Sequence, residues 1–250
     1  MIVILLFVLC LLFSSYSYAQ SDKEILFRSI PWNSSFKTVS NSQDAYGIKI
    51  IQLGINHFKS KLIGEIVNEG TYNYSHSFSK QEDNNAIVCR KVSLKEQVAG
   101  YDASSLLYFS YSIKDNTIVS DADNAVFFMG AYEFDIQKTN IDDFEKDMLN
   151  KLTLLYGNVD KTKTLYQDLD GKNYEKPPKT LSDSSEIRSW TWRGNNDTVL
   201  IMEIHKSNLL GNSAYMLYAW QGIDDTFRQI DQIYHQKLLE TISNSNLNGL

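Results

Sequence analysis

Apolar positions along the chain recur at two periods, and each marks a different kind of element. In Asn140–Gly157 (NIDDFEKDMLNKLTLLYG), Ile141, Phe144, Met148, Leu152 and Leu155 recur at helical steps and form one stripe. Asn140 is suited to cap the start, since its side-chain oxygen can accept a first-turn N–H. Asp142, Asp143 and Glu145 crowd the first turn, where the helix dipole favours acids. Gly157 stands where a left-handed residue ends a helix. The stripe must face a core, and the strand-like flanks make a sheet the expected partner.

Elsewhere the period is two. Glu24–Ile30, Gly47–Leu53, Ala86–Val92, Gln97–Ala103, Ser105–Ile113 and Ala125–Asp135 read as strands before the helix. Glu186–Arg193, Thr198–His205 and Ala214–Gln221 read as strands after it. Gly130, inside a strand, predicts a bulge or a close backbone approach. Lys114–Asn116 and Gly194–Asp197 read as turns. Ser34 suits the start of a short helix carrying Phe36 and Val39. His57–Val67 fits either a strand pair or a helical turn followed by strand. Glu69–Asn85 and most of Tyr166–Ser185, with Pro177-Pro178, read as loop. Asp224 is expected to cap a final helix with Phe227, Ile230, Tyr234, Leu238 and Ile242 on one face and a frayed tail from Ser243.

Runs of strands joined by tight turns imply antiparallel pairing. The expected class is α+β, an antiparallel sheet with amphipathic helices packed on one face. Residues 20–250 form one expected domain. Its order, strands–helix–strands–helix, suggests two similar halves, 20–161 and 162–250.

The amino terminus changes the picture of where this fold resides. Ile2–Phe13 is an unbroken apolar run followed by Ser17-Tyr18-Ala19, the form of a bacterial signal peptide (residues 1–19) cut between Ala19 and Gln20. No Lys or Arg precedes the run, so a retained signal anchor is the competing reading. Cys10 lies inside the run and is followed by Leu11-Leu12-Phe13, which disfavours lipidation. The chain is thus expected to be exported, periplasmic or secreted, with no membrane span after signal removal. Its formal net charge of −6, with mixed signs, gives no electrostatic reason to expect nucleic acid. Cys89 is then alone, without an internal disulfide partner; a small buried core residue is favoured over a reactive thiol.

Chemistry is sparse. His57, His76, His205 and His235 lack zinc-site spacing. Asp168-Leu169-Asp170-Gly171 lacks the flanking ligands of an EF-hand, since Tyr166 and Pro177 occupy those positions; Asp121–Asn124 is weaker still. No nucleophile elbow, P-loop or dinucleotide fingerprint occurs, so no catalytic residue, metal or cofactor is assigned. Asp102 and Ser104-Ser105 lie close in sequence, but no histidine is tied to them. Aromatics on or beside strands remain. Trp190 and Trp192 share a face with Arg188, while Ser189 and Thr191 lie on the other. With Trp32 and Tyr101 these form a candidate binding surface, against the alternative that they pack a core.

Some runs have a familiar form. Phe27-Arg28-Ser29-Ile30-Pro31-Trp32-Asn33-Ser34-Ser35 resembles the F-R-x-I-P-W-G-[ST]-S opening of a family of exported bacterial domains of unknown function. Val98–Ser104 (VAGYDAS) resembles that family's central strand. Tyr132-Glu133-Phe134, Leu152–Gly157 and Ser189–Trp192 resemble its later motifs, in order, across most of the chain. Asn33 departs from the motif's Gly, and extra residues stand between Ile113 and Ala125. The opening is also faintly similar to small binding modules of the outer-membrane barrel-assembly machinery and to β-lactamase-inhibitor-like folds. The resemblance implies a family but no activity. The expected function is a non-catalytic binding or envelope-associated domain whose partner is a protein, peptide or glycan of the envelope. The alternative is an exported hydrolase with acidic catalytic residues.

Overall fold

The computed structural model describes residues 23–42, 53–58, 62–69, 87–119, 121–136, 139–168, 172–177, 184–207 and 211–247. The signal segment with Cys10, Ala19 and Gln20 lies outside them, as do His76 and nearly all of the Gly47–Leu53 and Glu69–Asn85 runs. Cys89 falls on a described strand, its side chain outside the description.

In chain order the elements are α1 (Phe36–Asn41), β1 (Leu53–Phe58), α2 (Ile63–Glu69), β2 (Ile87–Val98), β3 (Tyr101–Ser110), β4 (Ser112–Lys114) and β5 (Thr117–Val119). Then follow β6 (Val126–Phe134), α3 (Ile141–Tyr156), β7 (Lys161–Gln167), β8 (Asn173–Tyr174), β9 (Ser185–Arg193), β10 (Thr198–Lys206), β11 (Ser213–Trp220) and α4 (Asp224–Leu247). Among the described residues, nine strands form one antiparallel sheet in the order β1-β2-β3-β6-β11-β10-β9-β7-β8, and β4–β5 make a separate hairpin. The class is α+β, as the patterning predicts.

Three hairpins turn on paired left-handed residues: Ala99-Gly100, Asp115-Asn116 and Asn196-Asp197. This backbone twist matches that of the flanking strands. The last two fall within or overlap the expected turns. The first divides Gln97–Ala103, which reads as one strand but is the end of β2, a turn and the start of β3. Ala99 gives no sequence hint of a turn, yet its φ is +54°. Glu24–Ile30 is likewise no strand. Only Glu24 makes an isolated bridge, and Arg28 and Ser29 are left-handed. Ile25, Phe27 and Ile30 are nevertheless fully buried, so the segment plugs the core without joining the ladder. Asn33, where the resembled motif carries Gly, has φ +62°, a conformation that Asn tolerates better than most side chains.

One sheet face, face one, carries α3 and the Ile25–Val39 segment over Leu107, Phe127, Tyr132, Trp192, Leu200 and Met216. On α3, Asn140 accepts the Asp142 N–H at 2.9 Å and Gly157 ends the helix at φ +84°. Ile141, Phe144, Met148 and Leu152 are buried. Leu155 is 61% exposed, because at the last turn Tyr156 packs on the core instead. Face two carries α2 and the start of α4 over Leu106, Phe128, Val199, Ile201, Leu217 and Ala219. Helical cover therefore falls on both faces, not on one. The reason is that face two is also apolar along one end of the sheet, which amphipathic spacing in the helices does not reveal. Only Phe227 and Ile230 of the expected α4 stripe are buried; Leu238 and Ile242 are about half exposed. At 24 residues, α4 is about 36 Å long and outruns the nine-residue strands beneath it. It also continues past Ser243. Asp224 does not spend its carboxylate on α4. Its two oxygens accept the Ile63 and Gly64 N–H groups of α2, both at 2.7 Å.

Gly130 shows both expected features. The β3–β6 register shifts beside it, leaving Phe128 and Met129 on the same face. The Phe27 ring lies directly on it: an added Cβ would sit 2.2 Å from Phe27 Cγ.

Candidate functional site

Antiparallel register sets side chains of adjacent strands in rows, and on face two these rows change character partway along β3, β6, β11 and β10. One row is Leu106, Ala131, Leu217, Ile201 and Thr191, lying beneath α2 and α4. One step of two residues along, the row becomes Lys95, Ser104, Glu133, Tyr215, Glu203, Ser189 and Lys163. The next holds Gln97, Asp102, Asp135, Ser213 and His205. Asp135 lies just past β6, but its N–H still donates to the Asp102 carbonyl at 2.9 Å, which keeps it in register. β3, β6, β11 and β10 thus switch from apolar to polar at one level, where α2 and α4 no longer cover them. By contrast, β2 is already polar at Lys91 and Ser93, and β9 and β7 end this row with the buried Ile187 and Leu165.

The β2–β3–β6 part of these rows bounds a cavity of about 500 Å³. Its floor is a grid: Lys95, Ser104 and Glu133 across one row, Gln97, Asp102 and Asp135 across the next. Neighbours across strands are about 4.8 Å apart and alternate residues along a strand about 6.8 Å apart. Gln97 Nε2 donates to Asp102 Oδ1 at 3.0 Å. Three carboxylates thus stand toward β6 and one ammonium stands at the β2 end. Among the described residues no aromatic side chain lines the cavity.

Two strands past β6, on β10, Glu203 is fully buried and its carboxylate contacts His205 Nε2. The Tyr215 ring packs edge-on against the His205 imidazole at 5.4 Å. A buried carboxylate requires such a partner, because removing an ion from water is expensive unless it is paired.

The other side of the sheet anchors the cavity wall. Tyr101 Oη donates to Asp147 Oδ2 at 2.8 Å, and Lys151 Nζ reaches both Asp147 at 2.6 Å and the Ala99 carbonyl at 2.9 Å. The β2–β3 turn is thereby clasped to α3. The two donors hold Asp147 below the usual carboxylate range, while desolvation and then Asp147 push the Tyr101 phenol up. Glu145 accepts from Arg188 at 2.7 Å; burial raises its carboxyl and Arg188 opposes the rise.

The aromatic surface expected from sequence is not formed. Trp192 is 0% exposed and donates to the Gly157 carbonyl at 3.1 Å. Trp32 stacks on Phe127 at 5.0 Å and donates to the Ile25 carbonyl at 2.9 Å. Tyr101 packs edge-on against Phe144 at 4.7 Å, and Trp190 is half-buried against the same core. Arg188 turns its guanidinium to Asp142, Glu145 and Glu186. All five therefore serve the packing of face one, because alternation that puts tryptophans together puts them equally well beneath a helix.

The set-aside candidates resolve as structure. Asp168 accepts from Lys172 N and Tyr174 Oη, both at 2.9 Å, while Leu169, Asp170 and Gly171 lie outside the described residues. Asp121 accepts from Asp123 N at 3.0 Å and Asn124 Nδ2 at 2.9 Å. Asp102 and Ser104 line the cavity, whereas Ser105 faces the opposite core. Among the described residues no group of His, Cys, Asp and Glu is arranged to hold a metal ion. The chain matches no family model, no curated protein and no solved structure.

Proposed function

We propose that this protein is an exported, non-catalytic binding domain whose ligand occupies the grid-floored cavity on face two. The observation that carries the reading is the common level at which the neighbouring strands β3 and β6 turn polar, beside Lys95 and Gln97 of β2, around a cavity of ligand size. Its floor stands on hydrogen-bonded strands, so the polar groups are held in place before a ligand arrives. Among the partner classes the sequence suggests, a glycan fits worst, because sugar rings favour aromatic platforms and none among the described residues lines this cavity. Export is supported by the apolar run Ile2–Phe13 with Ala19-Gln20 after it. Amide-shift titration of the purified protein with amines, amino acids, organic acids and oligosaccharides tests the site. Saturable shifts at residues 95–104 and 133–135 are expected; none with any class would remove the reading. Edman sequencing of the protein recovered from its host should begin at Gln20, and an intact Met1 would remove export with cleavage.

One observation favours a second reading. Asp102, Glu133 and Asp135 converge on one cavity, as the acid and base of a hydrolase would. Against it, Glu145 and Asp224, whose carboxyls burial pushes upward, both stand outside the cavity. Glycoside or ester turnover that Glu133→Gln abolishes without unfolding the protein would establish the hydrolase.

A further inference from the structure

At the β7 edge of the sheet the ladder stops short. β8 pairs with Tyr166 and Gln167 alone, and among the described residues nothing pairs with the outer side of Lys161–Leu165. Alternate residues there direct their N–H and C=O groups away from β9, so the edge presents a row of backbone donors and acceptors. The segment reads Lys-Thr-Lys-Thr-Leu, with no proline to interrupt a ladder and with threonines that suit one. Thr162 and Thr164 are exposed.

The same edge carries cations that no carboxylate offsets. Lys161 stands opposite Thr191 and Lys163 opposite Ser189, so both lysines lie on face two, about 6.8 Å apart along the strand. Arg193, two residues past Thr191 on β9, continues the row beyond Lys161. Elsewhere Arg28, Lys151, Arg188 and Lys206 each meet a carboxylate. Here Lys161 donates to the Asn68 carbonyl in the last turn of α2, and Asp160 accepts the Arg193 backbone N–H. Among the described residues no carboxylate pairs with Lys161, Lys163 or the Arg193 guanidinium. Burial first, then Lys163 and Arg193, hold the Lys161 ammonium below the usual lysine range. Three like charges side by side give this edge the sign opposite to the chain's net charge of −6.

We infer that β7 is a docking edge for an acidic, extended segment of a protein partner, which adds as a strand beside Lys161–Leu165 with Asp or Glu at alternate positions. Main-chain hydrogen bonds extend the ladder, and the acids meet Lys161 and Lys163 as cross-strand pairs of opposite charge. The acids repeat along an extended chain at the same two-residue step as the lysines. Lysines that turn away a second copy of β7, itself basic, admit this strand. A compact anion fits less well. The cations follow the strand direction instead of converging, and an anion leaves the backbone edge unpaired. The edge lies four strands beyond β6, so this inference and the cavity reading can fail separately.

The test uses the purified protein and a labelled peptide of alternating threonine and glutamate. Fluorescence anisotropy should show saturable binding at low salt that weakens as salt is added. Amide hydrogen exchange at residues 161–165 should slow on binding. Lys163→Glu, with an unchanged circular dichroism spectrum, should weaken binding by about tenfold. The same variant should bind an alternating threonine–lysine peptide better than the unaltered protein does. No saturable binding of the threonine–glutamate peptide would overturn the inference. Equal binding of the threonine–lysine peptide to the unaltered protein would overturn the selection by charge. A glutamate peptide with proline in place of threonine keeps the charge but cannot donate to a ladder; equal binding of that peptide would overturn strand addition. Binding of a heparin fragment, with no slowing of exchange at residues 161–165 by either probe, would assign the edge to a polyanion and overturn the acidic strand.

Discussion

Replacing Gly130 by alanine tests the packing of face one at its tightest point. A Cβ there would lie 2.2, 2.4 and 2.6 Å from Phe27 Cγ, Cδ1 and Cδ2. Ordinary contact needs about 3.5–4.0 Å, so the ring must move by more than an ångström. It has nowhere to go. Phe27 is 0% exposed, with Tyr132 at 4.7 Å, Tyr218 at 5.4 Å and Phe127 at 6.3 Å between ring centroids. Overpacking of this kind costs about 1–3 kcal/mol. The intrinsic gain from alanine over glycine in a strand, about 0.5–1 kcal/mol, offsets part of it. The net expectation is a loss of about 1–2 kcal/mol in urea unfolding at an unchanged m-value. Phe27→Ala alone should cost about 3–5 kcal/mol by leaving a cavity. In that background the clash is gone, so Gly130→Ala should become neutral or stabilising. The sign change is the diagnostic, since a double-mutant cycle isolates the contact. If Gly130→Ala destabilises equally with and without the Phe27 ring, the clash is not the cause and the reasoning fails.

Three further expectations concern other elements. Ala99 is held left-handed at the β2–β3 turn, so Ala99→Gly should raise stability by about 0.5–1 kcal/mol, read as a higher thermal midpoint. Leu152→Ala should cost about 2–5 kcal/mol in urea unfolding, and a loss below about 0.5 kcal/mol would contradict its burial beneath α3. Asp224 is shifted upward, chiefly by burial, against the Ile63 and Gly64 N–H groups that pull it down. Its folded form then holds the proton more tightly than the unfolded chain, so its contribution is greatest below the unfolded pKa and falls as pH rises through the folded pKa. Asp224→Asn removes that slope, so the stability gap between the two proteins should narrow with rising pH; a widening gap would mean that the α2 hydrogen bonds outweigh burial.

Elements whose cues are local were legible in sequence. The α3 cap, stripe and stop lie within eighteen consecutive residues, and the β9–β10 hairpin announces itself through Asn195-Asn196-Asp197 between alternating strands. What failed depends on tertiary partners. β7, Lys161–Gln167, alternates lysine with threonine and shows no apolar run, because most of it forms the outer side of the sheet where lysines discourage further pairing. Ala99 has no turn propensity, and the clasp through Lys151 and Tyr101 joins residues some fifty positions apart. The cavity was the least visible feature. Asp102 and Ser104 were legible as neighbours, but Glu133, Asp135 and Lys95 join them only once register is known.

The placement of the cavity follows from how the two halves differ. Read outward from the centre, the strand orders correspond: β6-β3-β2-β1 on one side and β11-β10-β9-β7 on the other. Each half runs inward from its edge and ends in a helix, α3 or α4. A two-fold axis relating antiparallel β6 and β11 would stand perpendicular to the sheet and leave each face unchanged. It would therefore put α3 and α4 on the same face. They lie on opposite faces, so matching strand order does not amount to matching halves. α3 instead reaches over both, touching Tyr101 in the first and Arg188 in the second, so that face one is covered from β3 to β9. Among the described residues, face two receives α2, the start of α4 and the β4–β5 hairpin, with α2 and α4 at the end where β11 finishes. At the other end β3, β6, β11 and β10 carry polar residues, while β9 and β7 carry the buried Ile187 and Leu165. Among the described residues the cavity thus lies on the face that carries less helix, beyond the reach of α2 and α4.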